Sequence, residues 1–369
     1  MDDQQKRIIR TTPDLEAACA KIRADGILSL DTEFVWRNTY YPQLGIVQLG
    51  NRSECWALDC QTGTHTEALK SLMEDSAVVK IFHDAHQDLA HLRHYTGCRP
   101  TNVFDTQQAA AFAGFRSKIG LQKLLSEVLG VDLPKTETQT DWTHRPLTEA
   151  QVEYALDDVR YLPELREALL ARTDELGTRA WLEEELLKFN DESHYHELDA
   201  DECWKRVKLH TARVEGRGWA VLRAVATLRE ELARKWNLPR AWLGDDASLA
   251  LMAERGKVTH LVHRLPGGKA DAVRTLYSEA IAAALRLPSE ACPDDPRPHY
   301  IQEVCDAASR AFVWLGERAE AIHVDSVMIA PRATVIAYVD DVTDESNPLA
   351  HGWRYEVAGR EMAERFGVD

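Results

Sequence analysis

No uninterrupted apolar run in the sequence approaches the roughly 20 residues needed to cross a bilayer, so no membrane-spanning helix and no membrane partner are expected. Cysteine is sparse as well: seven residues, scattered, odd in number and without a C-x-x-C pair. That spacing speaks against a disulfide framework and a cysteine zinc site, and reads as reduced thiols in the cytoplasm. The opening stretch MDDQQKRIIR has no apolar segment behind its basic residues, so a secretory leader is not expected there. Positive charge is also short, with a formal net charge of −16. Taken alone, that balance argues against a nucleic-acid partner.

Its distribution changes the argument. Residues 1–210 carry −12, residues 211–290 carry +4 and residues 291–369 carry −8. An acidic first segment suits cation binding, and a basic middle one suits phosphate contacts; both can equally be ordinary solvated surfaces. The apolar fraction of 44% in 369 residues is enough for two or three domains with real cores.

The first half alternates strand-like and helix-like stretches, which is the pattern of an α/β domain with a mixed sheet. Strands are expected at 26–35, 45–49, 55–58 and, from its continuous apolar run, 78–82. Helices are expected at 85–95, 106–113, 121–129 and 148–172. Asp84 with Gln87, and Thr148 with Gln151, form capping-box patterns at two of these helix starts. From about residue 173 strand signals fade. We divide the chain into an α/β domain at 1–180, a helical connector at 181–210, a helical domain at 211–290 and a second helical unit at 291–369. The long amphipathic helix 217–236 is ended by Asn237-Leu238-Pro239, and the proline-rich stretch 288–298 marks a linker.

Three places could carry chemistry. Asp31 and Glu33, two apart on a strand, leave the same face. At an effective dielectric near 20, charges about 4 Å apart repel by roughly 4 kcal/mol, and a divalent cation between them reverses the sign. For the pair alone, a solvated strand end is the default reading. Asp88 follows the buried strand VVKIF near the sheet edge where α/β folds bind ligands. The histidines around it, His83, His86, His91 and His94, have no metal-ligand spacing and read as helix surface or supporting contacts. Tyr154 and Asp158 are one helical turn apart on one face, a spacing common as a plain structural pair. Asp157, about 100° round, reads as structural.

Together these segments resemble the tyrosine-type DEDD 3′→5′ exonucleases and, within them, the ribonuclease D family. The resemblance lies in LSLDTEFVWRNTYYPQLGIVQL, KIFHDAHQDLAHL, FDTQQAAAFAG and TDWTHRPLTEAQVEYALDDVRYL, in the family's order, over roughly residues 26–172. It implies an RNase H-like α/β fold and catalytic roles for Asp31, Glu33, Asp88, Tyr154 and Asp158. The four carboxylates would bind two divalent ions, Mg²⁺ or Mn²⁺, and Tyr154 would orient the attacking water. It also implies a single-stranded 3′ end as substrate, release of nucleoside 5′-monophosphates, and RNA precursors such as tRNA as partners. No obligatory protein partner is evident.

Phosphodiester hydrolysis adds charge to oxygens already anionic, which is why such chemistry recruits paired divalent ions. A phenol with a pKa of about 10 is a poor base at neutral pH, so Tyr154 suits positioning better than proton abstraction. Gln48, Gln107 and Arg145 are candidates for sugar or phosphate contacts, and Phe34, Trp36 and Tyr40 for base stacking or for core packing. Within 211–290, the helix, the Asn-Leu-Pro-Arg stop and the run Asp246 to Leu249 resemble the HRDC domain. The segment departs from that pattern at Gly256-Lys257-Val258, where a proline is usual. Arg234, Lys235, Arg240, Lys257 and Arg264 are its candidate phosphate contacts. Residues 298–369 fit a second copy by position and length, and their −8 charge favours packing over nucleic-acid contact. Two rival functions remain open on sequence: the same chemistry on DNA, and a non-catalytic RNA-binding protein that has kept the fold.

Overall fold

The computed structural model describes residues 7–63, 65–134, 140–259, 265 and 267–368. It divides into two compact units, one of residues 1–35, 44–196 and 300–369, the other of 36–43 and 197–299.

In the first unit, β1 (Ile8–Ile9) and α1 (Thr12–Asp25) precede β2 (Ile27–Val35), β3 (Gln43–Gly50) and β4 (Cys55–Asp59). Then come α2 (Thr66–Met73), β5 (Val79–Phe82), α3 (Ala85–Thr96), β6 (Val103–Asp105), α4 (Thr106–Phe112) and α5 (Leu121–Leu129). The six strands form one mixed sheet in the order β1-β4-β3-β2-β5-β6. β3 and β4 are antiparallel, whereas β5 lies parallel to both β2 and β6. Alternation along β2 sends Leu28 and Leu30 into a core with α1 and α3. Ile27, Ser29, Asp31 and Glu33 take the opposite face.

That opposite face is covered by α6 (Glu149–Arg160), which packs across β2 and β4. Thr148 and Gln151 form the expected capping box at its start, each side chain bonded to the other's backbone amide. The single helix expected over 148–172 is two: α6 stops at Arg160, and α7 (Leu162–Leu176) begins anew with Pro163 in its first turn. Proline there lacks an amide hydrogen and its ring would collide with the carbonyl four residues back, so one continuous helix is excluded. The other expected capping box also fails. Asp84 occupies the N-cap of α3 in a left-handed conformation (φ 65°) and makes no side-chain cap bond. The amides of Asp84 and Ala85 are instead taken by the buried carboxylate of Asp105, 3.2 and 2.9 Å away.

After α8 (Arg179–Leu186) and short 3₁₀ turns, the chain builds the second unit from α9 (Arg217–Trp236), α10 (Arg240–Leu243), α11 (Asp246–Arg255) and α12 (Lys269–Leu285). Its core packs Trp204, Trp219, Leu243 and Tyr277. The chain then returns to the first unit with α13 (Gln302–Ala321), α14 (Ser326–Ile329), α15 (Arg332–Asp340), α16 (Gly352–Arg354) and α17 (Arg360–Phe366). These helices share one hydrophobic core with α4, α5 and α7; Trp353, 1% exposed, meets Phe112 edge to face at 5.1 Å. The architecture is thus an RNase H-like α/β domain followed by helical, HRDC-like segments. Among the described residues no helix is long and apolar enough to cross a membrane.

Candidate active site

Strand β2 and helix α6 bring Asp31, Glu33 and Asp158 together, with a carboxylate oxygen from each lying within 4.8 Å of the others. All three are half-buried. Burial, with little compensating hydrogen bonding, pushes the Asp31 carboxyl up to about 7. Burial and the neighbouring charges of Asp31, Asp158 and Asp88 push Glu33 up to about 9. Burial and the charges of Asp31 and Asp157 push Asp158 up to about 8. Such a group of acids resists ionisation because each new negative charge is poorly solvated and repelled by the last.

Asp88, in the first turn of α3, stands outside this three-oxygen group. It is 7% exposed, and its Oδ1 accepts a 2.5 Å hydrogen bond from Thr32 Oγ1. Thr32 lies between Asp31 and Glu33 and faces the other side of β2, which is why its partner comes from α3 and not α6. Burial first, then the charge of Asp31, raises the Asp88 carboxyl well above its usual range. Thr32 was not singled out from the sequence; its position between two acids is the signal that was available. Asp105 was missed similarly. It holds the turn before α3 as well as capping α4 through the amides of Gln107 and Gln108.

Tyr154 projects from α6 one turn before Asp158, and its ring stacks on that of Trp142, 6.1 Å between centroids and 28° apart. Asp157 pairs with Arg160, which also binds Glu153 at 2.5 Å, in keeping with a structural role. Among the described residues no histidine joins the acidic group. His83 bonds Thr106 and the Ile119 carbonyl, and His91 lies 6% exposed against Phe34 and Thr32.

Most of the expected substrate contacts are engaged elsewhere. Gln48 is fully buried on β3 and offers no surface to a substrate. Gln107 reaches the Ile119 carbonyl at 3.4 Å. Arg145 grips both oxygens of Asp59, at 2.8 and 2.6 Å, and donates to the carbonyls of Gly45, Trp142 and His144. It thereby clamps the loop before α6 onto the sheet, where a Cβ on Gly45 would stand 2.3 Å from the Trp142 carbonyl oxygen. Phe34 is half-buried, edge-on to His91 at 4.2 Å. In the second unit Arg234 and Arg240 close on Glu230, which is fully buried. Burial opposes its ionisation, but the bonds from Arg240 and Tyr40 outweigh that and hold Glu230 down to about 2. Tyr40, an expected stacking residue, bonds Glu230 and carries the Arg240 guanidinium 4.7 Å over its ring. Trp36, 58% exposed, and Lys235 and Lys257, both exposed, remain accessible. Arg264 lies outside the described residues.

A mixed sheet whose face gathers acids from a strand and from the helix crossing it is the layout of a 3′→5′ exonuclease, and the family described as "3'-5' exonuclease" matches residues 6–174. Ribonuclease D of Desulfotalea psychrophila is 41% identical over 254 residues, 68% of each chain. Ribonuclease D of Acidiphilium cryptum is 33% identical over 96% of this chain and 91% of its own. The crystal structure of Escherichia coli RNase D, described as an exoribonuclease involved in structured RNA processing, superposes with a TM-score of 0.83 at 25% identity, covering 98% and 99% of the two chains. The chain belongs to the ribonuclease D family.

Proposed function

We propose that this protein is a 3′→5′ exoribonuclease that shortens single-stranded 3′ ends of RNA, releasing nucleoside 5′-monophosphates. The observation that carries the reading is the convergence of Asp31, Glu33 and Asp158 within 4.8 Å. Ionised together they would repel strongly, and an all-oxygen donor set is what Mg²⁺ or Mn²⁺ prefers. The residues present therefore fit a divalent site, with Asp88 as a fourth carboxylate for a pair of ions. When bound, such ions supply Lewis acidity and a lowered pKa for coordinated water.

The chain's own groups do the rest. Asp31, Glu33, Asp88 and Asp158 bind and space the cations, and Thr32 orients Asp88 through its hydrogen bond. Tyr154, one turn from Asp158 and limited by the Trp142 ring, positions the attacking water. Phe34 and Trp36 are proposed to support bases, and Lys235 with the exposed part of Arg240 to contact phosphate. Arg234, Gln107 and Arg145 act on substrate only indirectly, through the loops and helices they tie together.

RNA as substrate rests on the ribonuclease D relatives. Trimming of tRNA-like precursors in the cytoplasm extends that reading. We assign residues 1–180 to the exonuclease domain, 181–210 to a connector, 211–290 to an HRDC domain and 291–369 to a second HRDC-like domain. The test is digestion of end-labelled single-stranded RNA and of DNA of the same sequence. Mononucleotides should appear from RNA in Mg²⁺ or Mn²⁺ and not in EDTA. Preferential cleavage of DNA would replace the substrate, and no release from either would refute the enzymatic reading.

A further inference from the structure

Strand β2 carries Asp31 and Glu33 and ends at Val35, where the chain leaves the first unit. Residues 36–43 fold with the second unit, although the two strands they join, β2 and β3, are neighbours in the sheet.

The anchors of this segment come from α9 and α10. Asn237, which ends α9 in a left-handed conformation (φ 49°), accepts the amides of Tyr40 and Tyr41 on its Oδ1, each at 3.0 Å. The Tyr40 hydroxyl donates to Glu230 and accepts from Arg234 Nε at 3.1 Å and from Arg240 Nη2 at 2.8 Å. A phenol has one hydrogen and two lone pairs to offer, so this hydroxyl is fully used. Its ring packs against the core of the second unit.

The start of the loop shows what this anchoring serves. Trp36 Nε1 donates to the Tyr40 carbonyl at 3.1 Å, so the residue that the helices grip also fixes the indole. With its one N–H spent, the indole has only its rings to offer, and it is 58% exposed. Fixing a large aromatic side chain at the surface costs conformational freedom and fills no core. Such a platform suits a nucleobase, since every base has a π-face. Chain connectivity sets its place: Trp36 is three residues beyond Glu33, so their Cα atoms stand no more than about 11 Å apart.

We propose that Tyr40 and Asn237 are positioning residues for the exoribonuclease reaction, holding the Trp36 indole where a base near the RNA 3′ end stacks. The second unit thus grips substrate through a loop that it holds, with little preference among bases. This rests on the exoribonuclease reading above and deepens it.

Steady-state digestion of end-labelled single-stranded RNA by the full chain in Mn²⁺ tests it. Trp36→Ala should raise KM about 5–100-fold with kcat unchanged, since binding lost equally from ground and transition states appears in KM. Tyr40→Phe, which keeps the ring and loses the hydroxyl, should raise KM about 3–10-fold. In the Trp36→Ala background the same change should alter KM less than about twofold, because the indole it positions is gone. A KM unaltered by Trp36→Ala overturns the proposal. A Tyr40→Phe effect of equal size in both backgrounds overturns it too, and assigns Tyr40 to packing. Should Tyr40→Phe not fold, Asn237→Gly serves instead: glycine keeps the left-handed cap and removes the oxygen that both amides use, and the same comparison in the two backgrounds decides. If the parent releases no nucleotide from RNA, the exoribonuclease reading fails and this proposal with it; an active parent with an indifferent Trp36→Ala removes this proposal alone.

Discussion

Replacing Glu33 with glutamine should stabilise the metal-free protein at alkaline pH. In the folded chain the Glu33 carboxyl is pushed from its ordinary 4.5 up to about 9, first by burial and then by the charges of Asp31, Asp158 and Asp88. The folded state therefore holds this proton more tightly than the unfolded chain does. The associated stability is complete below about pH 4.5 and is lost progressively as pH rises towards 9. Each pH unit in that window costs about 1.4 kcal/mol, so at pH 8 the full gap amounts to roughly 5 kcal/mol. Glutamine has no proton to lose and escapes the penalty. Allowing for partial exposure and relaxation around the side chain, Glu33→Gln in EDTA should gain about 2–4 kcal/mol at pH 8 and nothing at pH 4.5. Denaturant unfolding of both proteins across pH 4.5–9 measures the difference. With Mn²⁺ present the order should invert, because a bound cation holds the parent's carboxylate ionised at no such cost. A variant no more stable than the parent at pH 8 in EDTA, or a gain equal at every pH, would refute the account of this site as mutually destabilised acids.

Tyr154→Phe keeps the ring against Trp142 and removes only the hydroxyl; it should lower kcat about 10²-fold with KM and Mn²⁺ affinity nearly unchanged in steady-state assays on labelled RNA. An unchanged kcat would remove Tyr154 from the reaction. Arg145→Ala removes the two strongest bonds to Asp59, 1% exposed, and leaves it the Gln61 amide and Arg10 at 3.9 Å. The loss should be about 1.5–3 kcal/mol of stability, measured by urea unfolding. Burial opposes ionisation of Asp59 and Arg145 overcomes it, keeping that carboxyl below its usual range. The destabilisation should therefore be largest above pH 4 and shrink as Asp59 becomes protonated in acid; a loss that persists undiminished in acid would point to packing instead of charge.

Local rules made much of this molecule legible from its residues alone. The bounds of α5 and α9, the capping box of α6, the apolar run of β5 and the shared face of Asp31 and Glu33 follow from periods and caps that span only a few residues. The pattern of acids along 31–158 was sufficient, through family resemblance, to anticipate a nuclease. β1 and β6, of two and three residues, are too short to display any period, and they exist because the sheet offers them a neighbour. Tertiary structure alone selected the partners. It gave the amide hydrogens of Asp84 and Ala85, at the start of α3, to Asp105, bonded Thr32 to Asp88 across 56 positions, and drew Arg145 onto Asp59 and Arg234 onto Glu230. A charged side chain reads from sequence as free to meet a substrate, yet once folding buries an acid near it, leaving that acid unpaired costs more than the contact with substrate returns. The same burial took Gln48, an expected substrate contact, fully into the sheet, a placement that no local pattern of residues reveals.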